Sequence, residues 1–203
     1  GSAPPLITPF KNGAVDYDAY AGLVEFHLER SHCILVNGTT SEPAMLTVEE
    51  RNKTCDTAIE VVKGRAPVIV ATGSQNLIET KQLTDHAAQA GADALLIVTP
   101  YYSRPPQRGI IEYYLEATQG HDVPWMIYHI PGRAAVSVTL DTVKELKDRS
   151  PTFVGMKHAV NDLGFVSECL DAVPGYKVFV GLEELSYPMM AVGAGFRGTD
   201  TVW

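Results

Sequence analysis

The chain has 203 residues, 45% of them hydrophobic and 20% charged, with a formal net charge of −8. That balance supplies one sizeable core, excludes intrinsic disorder, and argues against a general nucleic-acid binder, which needs clustered Lys and Arg. No apolar run approaches the roughly 20 residues of a membrane helix, no basic-then-apolar leader opens the chain, and Cys33, Cys55 and Cys169 form no ligand pair; these features predict a cytoplasmic protein with reduced thiols.

In chain order, runs rich in β-branched and apolar residues predict strands at Pro5–Phe10, Cys33–Asn37, Pro67–Thr72, Ala94–Pro100, Trp125–Ile130, Phe153–His158, Val178–Gly181 and Thr199–Trp203. Segments with helical spacing lie between them. These are Tyr17–Arg30, Thr47–Lys63, Glu79–Ala90, Gly109–Thr118, Leu140–Asp148, Leu163–Ala172 and Glu184–Val192. Thr47 followed by Glu50 has the spacing of a capping box. Alternating strand and helix means parallel β-α units, and eight strands predict a (β/α)8 TIM barrel, with an open doubly wound sheet as the alternative. The last strand reaches the final residue, whereas such barrels run to about 250 residues. The expectation is therefore one barrel domain over residues 1–203 whose C-terminal part is missing from this chain.

Polar residues collect at the C-terminal ends of the predicted strands, where a barrel carries its active site. They include Thr8, Gly38-Thr39-Thr40-Ser41-Glu42, Tyr101, Tyr102, Tyr128, His129, Arg133, Lys157, His158, Gly181, Glu183 and Asp200. Lys157 interrupts an apolar strand, sharing a face with Phe153 and Gly155 by strict alternation, and Gly155 is expected to leave room below the amine. Burial disfavours the ammonium form, and imine formation with a ketone needs the neutral amine. The plainer alternative is a structural lysine paired with Glu183 or Asp200. The threonine turn offers amides and hydroxyls for a carboxylate, or is an ordinary loop. Tyr128 is a proton carrier or a buried core tyrosine, and Arg133 a carboxylate fork or a surface ion pair. Gly193-Ala194-Gly195-Phe196-Arg197-Gly198 has the glycine spacing of a dinucleotide fingerprint, but it follows a helix and enters a strand, the wrong context. His129, His158, Glu183 and Asp200 show no spacing typical of a metal site.

Taken together, Gly38-Thr39-Thr40-Ser41-Glu42, Thr99-Pro100-Tyr101-Tyr102, Tyr128-His129-Ile130-Pro131-Gly132-Arg133 and Gly155-Met156-Lys157 resemble the dihydrodipicolinate synthase and N-acetylneuraminate lyase family. These are class I, Schiff-base-forming pyruvate aldolases on a (β/α)8 barrel, and the likeness is nearer to the synthases. The resemblance implies that Lys157 condenses with pyruvate and that Tyr128 shuttles protons. It matches Thr40 to the hydroxyl linking Tyr128 to a second tyrosine, Tyr102, lent across a dimer interface. Thr39 and Thr40 match the carboxylate site of pyruvate, Arg133 the carboxylate contact of the aldehyde, and Gly181 a glycine lining the site. It implies aspartate semialdehyde as second substrate, a homo-oligomer (dimer or tetramer), lysine biosynthesis, and no metal or organic cofactor.

Ser41, His129, His158 and Asp200 depart from the synthase pattern, and several of them, with His129 and Asp200 as the changed contacts, are expected to alter the second-substrate pocket. Tyr101 and Glu79 match part of the allosteric lysine site of some synthases, whereas Val48 and Arg51 do not match its histidines. Two alternatives remain at this point: another pyruvate aldolase or a sugar-acid dehydratase of the same family, and a non-catalytic binding or regulatory relative.

Overall fold

A computed structural model of the chain describes residues 1–197. The predicted first strand shrinks to a single parallel bridge between Pro5 and Leu35, because Pro4, Pro5 and Pro9 have no N–H for a ladder. A short antiparallel hairpin follows, β1 (Phe10–Lys11) and β2 (Ala14–Val15), turned by Asn12 and Gly13 at φ 54° and 83°. Asn-Gly is a preferred pair for so tight a turn.

Beyond it the alternation holds. The order is α1 (Tyr17–Leu28), β3 (Ile34–Val36), α2 (Val48–Val62), β4 (Val68–Ala71), α3 (Leu77–Ala90), β5 (Ala94–Val98), α4 (Gln107–Thr118) and β6 (Trp125–His129). Then come α5 (Pro131–Ala134), α6 (Leu140–Arg149), β7 (Phe153–His158), α7 (Leu163–Ala172), β8 (Lys177–Val180), α8 (Ser186–Ala191) and β9 (Phe196–Arg197). Turns of 3-10 helix cover Thr39–Ser41, Pro43–Met45 and Glu183–Leu185. The capping box forms: Thr47 Oγ1 accepts from the Glu50 amide at 3.2 Å, and the Glu50 carboxylate accepts from the Thr47 amide at 2.9 Å.

Strands β3 to β9 pair in parallel and in sequence order. A doubly wound sheet would reverse its order at a switch point. Here there is no reversal, so the sheet curls with its helices outside, the arrangement of a (β/α)8 barrel. The expected eighth strand at Thr199–Trp203 lies outside the described residues, but β9 already pairs with β8 through Phe179–Phe196 and Val180–Arg197.

Curling divides the core in two. One layer lies between strands and helices and contains Trp125, Ile127, Phe153 and Met156. The other fills the inside of the curl with Leu35, Leu96, Met126, Tyr128 and Phe179. This division corrects the expected facing of β7. The β6–β7 register shifts between Trp125 and Met126, whose partners are Phe153 and Gly155. One extra residue is thereby inserted at Val154, and side-chain parity resets. Phe153 packs on the helix side while Lys157 faces in. Gly155 does not leave space beneath the amine, either. A Cβ there would lie 1.9 Å from the Lys177 carbonyl oxygen, so glycine is required by the close approach of β8.

Candidate active site

Register places Tyr128 on β6 directly opposite Lys157 on β7. Both face the interior, and Lys157 is 2% exposed, with its Nζ 4.7 Å from the centre of the Tyr128 ring. Below the amine, Leu35, Met126 and Phe179 border a small apolar void. Above it, the Tyr128 ring forms part of the wall of a cavity of about 350 Å³, shared with Thr39, Glu42, Tyr101, Ile130 and Arg133. The tyrosine therefore stands between the amine and the open cavity, where its hydroxyl can serve both.

That hydroxyl accepts from Thr39 Oγ1 at 3.2 Å. The expectation had Thr40 linking Tyr128 to Tyr102; the hydrogen bond to the Tyr128 hydroxyl found here comes from Thr39. The reason is the short 3-10 turn over Thr39–Ser41, which points its first side chain back toward β6. The turn is held firmly. Thr8 Oγ1 donates to the Ser41 carbonyl at 2.8 Å, and Ser41 Oγ donates to the Gly38 carbonyl at 2.7 Å. Asn37 and Glu42 flank it, both left-handed at φ 58° and 55°. Asn37 is locked by its amide nitrogen donating to the Arg51 carbonyl at 2.9 Å and by Thr54 Oγ1 donating to its Oδ1 at 2.8 Å.

Arg51, considered in the sequence only for failing to match a histidine, is a buried strut. Its Nη2 donates to the carbonyls of Ala71 at 3.0 Å and Gly73 at 3.3 Å, closing the end of β4. Burial pushes its pKa down to about 10, against the opposing pull of Tyr101, Glu79 and Tyr113. Sequence reasoning places Thr8 at the active-site end but misses Asn37 and Arg51 as supports of the site. Only Asn37 carries a local signal, an asparagine between an apolar strand and Gly38, since asparagine tolerates the left-handed region.

Arg133 sits in the short α5, exposed at the cavity mouth. Tyr102 is 91% exposed and left-handed at φ 67°, and it is not among the residues lining the cavity. Gly181 is buried: its amide donates to the His158 carbonyl at 2.7 Å, and a Cβ there would lie 2.7 Å from that of Ala159. Asp200 lies outside the described residues. His129 does not line the cavity as expected, and neither does His158. Strand alternation turns both to the helix side, where they are 3% and 1% exposed. No group of three or more His, Cys, Asp or Glu side chains suited to a metal ion occurs among the described residues.

Residues 1–201 match the dihydrodipicolinate synthetase family. The chain is 43% identical to a 4-hydroxy-tetrahydrodipicolinate synthase of Thermus thermophilus over 197 residues, covering 96% of this chain and 66% of that protein. It is 40% identical to the synthase of Aquifex aeolicus, again over 96% of this chain and 67% of that one. It thus spans about two thirds of the length of these relatives. The crystal structure of the Aquifex aeolicus dihydrodipicolinate synthase superposes with a TM-score of 0.95 at 40% identity, covering all of this chain and 69% of that one. A monomeric dihydrodipicolinate synthase variant matches with a TM-score of 0.91 at 30% identity, over 98% and 68% of the two chains.

Proposed function

This chain belongs to the dihydrodipicolinate synthetase family, and on that premise we propose that its parent protein is a Schiff-base lyase that condenses pyruvate with aspartate semialdehyde to give 4-hydroxy-tetrahydrodipicolinate, the synthase reaction of lysine biosynthesis. The observation that carries this reading is the buried Lys157 amine opposite Tyr128, whose hydroxyl meets Thr39 beneath a cavity with Arg133 at its mouth.

The chemistry follows from those groups. The neutral Lys157 amine attacks the keto carbon of pyruvate, and the carbinolamine loses water to form a protonated imine. That imine withdraws electrons, so the methyl carbon gives up a proton and becomes an enamine. The enamine carbon attacks the aldehyde carbon, and the aldehyde oxygen takes up a proton. The semialdehyde's own amine then adds to the imine carbon, closing a six-membered ring and releasing Lys157. Tyr128 carries protons between these steps, with Thr39 holding its hydroxyl. The Thr39–Thr40 turn supplies the carboxylate site for pyruvate, and Gly181 keeps the neighbouring strand end close.

Arg133 orients the carboxylate of the semialdehyde. A charge-assisted contact of that kind contributes about 1.5–3 kcal/mol, or roughly 10- to 150-fold in binding. As part of the same reading, residues 1–203 form one barrel domain of a cytoplasmic homo-oligomer, in which Tyr102 serves a neighbouring subunit's site.

Borohydride reduction in the presence of pyruvate tests this. Mass spectrometry of the full-length protein should find the reduced adduct on Lys157, and Lys157→Arg should abolish it, because a guanidinium is not deprotonated in a protein. In steady-state kinetics Arg133→Lys should lower the efficiency for aspartate semialdehyde by about 10- to 150-fold and leave the pyruvate adduct intact. Absence of the adduct overturns the Schiff-base reading. Turnover of hydroxylated sugar acids alone, with Arg133→Lys indifferent, overturns the choice of aldehyde.

A further inference from the structure

His129 and His158 follow Tyr128 and Lys157 on adjacent strands and are themselves register partners. Their rings are buried on the helix side of the sheet and pack against Phe165 of α7, with centroids 5.5 and 5.8 Å away. The two Nδ1 atoms are 3.1 Å apart. At that distance one nitrogen donates and the other accepts.

The Val138 amide decides which. It donates to His129 Nε2 at 3.4 Å, so that nitrogen holds a lone pair and the His129 proton sits on Nδ1. His158 Nδ1 is then the acceptor, and its proton lies on Nε2. That atom has no hydrogen-bond partner among the described residues, and the backbone of Asp162 and Val160 acts on the His158 ring to favour its charged form. Each accepting nitrogen already faces a donor, so both rings are held neutral.

We propose that this histidine pair is a positioning device that clamps the ends of β6 and β7 from outside the curl and thereby sets the approach of Lys157 to Tyr128 on the inside. The proposal rests on the Schiff-base reading of Lys157. Its physical basis is position: beyond the shift at Trp125 and Met126 the pairing runs regularly from Met126–Gly155 to His129–His158, so the histidines occupy the row next to Tyr128 and Lys157, at the end of that ladder. Above them the backbone link is the Ala159 amide on the His129 carbonyl at 2.9 Å, after which β6 turns into α5. The side-chain bond is the second tie at that level. Burial pushes both histidines down to about 4, His158 adding to the effect on His129. Asp162, the N-cap of α7, is the charged group that opposes this.

Two measurements on the full-length protein test the assignment. Two-bond proton–nitrogen spectra with labelled histidine should show His129 as the Nδ1–H tautomer and His158 as the Nε2–H tautomer, both neutral from about pH 5.5 to 8, whereas an unperturbed histidine titrates near 6.5. Titration of either ring near 6.5 would overturn the clamp.

Single-turnover adduct formation with pyruvate and borohydride is the second. His158→Asn keeps an acceptor where Nδ1 stood; His158→Phe keeps the ring volume and loses the acceptor. For the Phe variant the maximal rate should fall about tenfold with half-saturating pyruvate within about twofold, while the Asn variant stays near the parent. A purely packing role predicts the reverse order, since Asn is the smaller side chain. An unimpaired, cooperatively folded Phe variant therefore refutes positioning. If the unaltered protein forms no adduct, the Schiff-base reading fails instead, a result distinct from either histidine outcome.

Discussion

The residue that most changes the chemical reading is Thr39. It is the hydroxyl that reaches Tyr128, at 3.2 Å, while its neighbour Thr40 lies one step further round the same 3-10 turn. On the proposed reaction, Thr39 would then serve Tyr128 as well as the turn's carboxylate site, and Thr40 the carboxylate site alone. Thr39→Val removes the donor that holds the Tyr128 hydroxyl, and proton transfer by a well-placed group contributes about 10²- to 10⁴-fold. It should lower kcat by about 10- to 100-fold with little change in KM for pyruvate. Thr40→Val should chiefly raise KM for pyruvate if, as proposed, Thr40 meets the pyruvate carboxylate. Steady-state kinetics of the two variants checks this; equal kcat losses would return the two threonines to interchangeable roles. At the same scale, Lys157 needs no polar company to be legible. A lysine in an apolar strand is conspicuous in any sequence, whereas Thr8, Asn37 and Arg51 support the site from 33, 14 and 22 positions away from their partners.

Among the elements, β7 shows how a strand can be predicted to the residue and still be misread. Its limits, Phe153–His158, coincide with the apolar run, yet the register shift against β6 places Phe153 and Lys157 on opposite faces. Gly155 marks the irregularity. With a Cβ 1.9 Å from the Lys177 oxygen, Gly155→Ala has to push β8 away or distort β7. Overpacking of this kind costs about 1–3 kcal/mol and sometimes more, and here the obstacle is backbone rather than a flexible side chain. Gly22, within α1 and with no atom near its Cβ position, is the control. Gly22→Ala should stabilise by about 0.5–1 kcal/mol through better helix propensity. Denaturant unfolding should move the two midpoints in opposite directions, and a neutral Gly155→Ala would contradict the close-approach argument. The hairpin β1–β2 is the converse case. Its Asn12-Gly13 turn signal is plain, but the flanking runs are only two residues long and carry no alternation to notice.

For the molecule as a whole, a pH dependence follows from the buried pair His129 and His158. In the fold both are pushed down to about 4, and in the unfolded chain each has its ordinary value of 6.5. Between those limits the unfolded chain binds more protons than the folded one. The stability they contribute is therefore full above about 6.5 and is lost as pH falls toward about 4. Urea midpoints measured at about pH 7 and 4.5 should differ markedly in the parent and less in His158→Asn, and a parallel decline in both would sink the assignment. A second prediction concerns assembly. Tyr102 stands 91% exposed in a left-handed conformation and does not line its own cavity. Mixed oligomers of Tyr102→Phe and Lys157→Ala subunits should regain activity that neither variant has alone, because one composite site per pair is intact. Hybrids that exchange subunits yet recover nothing would rule out sharing.

From sequence alone came the alternation of strands and helices, the capping box at Thr47, and the lysine, tyrosine, threonine and arginine segments at strand ends. These are local: apolar periodicity, capping spacing and a charge within an apolar run depend on neighbours a few positions apart. Only the tertiary structure decided that the sheet winds in one direction, that Thr39 rather than Thr40 meets Tyr128, and that His129 and His158 face the helices instead of the cavity. It also decided that Gly155 answers to a neighbouring strand. Each of these depends on register between segments some 20 to 90 positions apart, as with the 89 positions separating Thr39 from Tyr128. A one-residue shift in such pairing turns every side chain to the other face, and no local pattern records it.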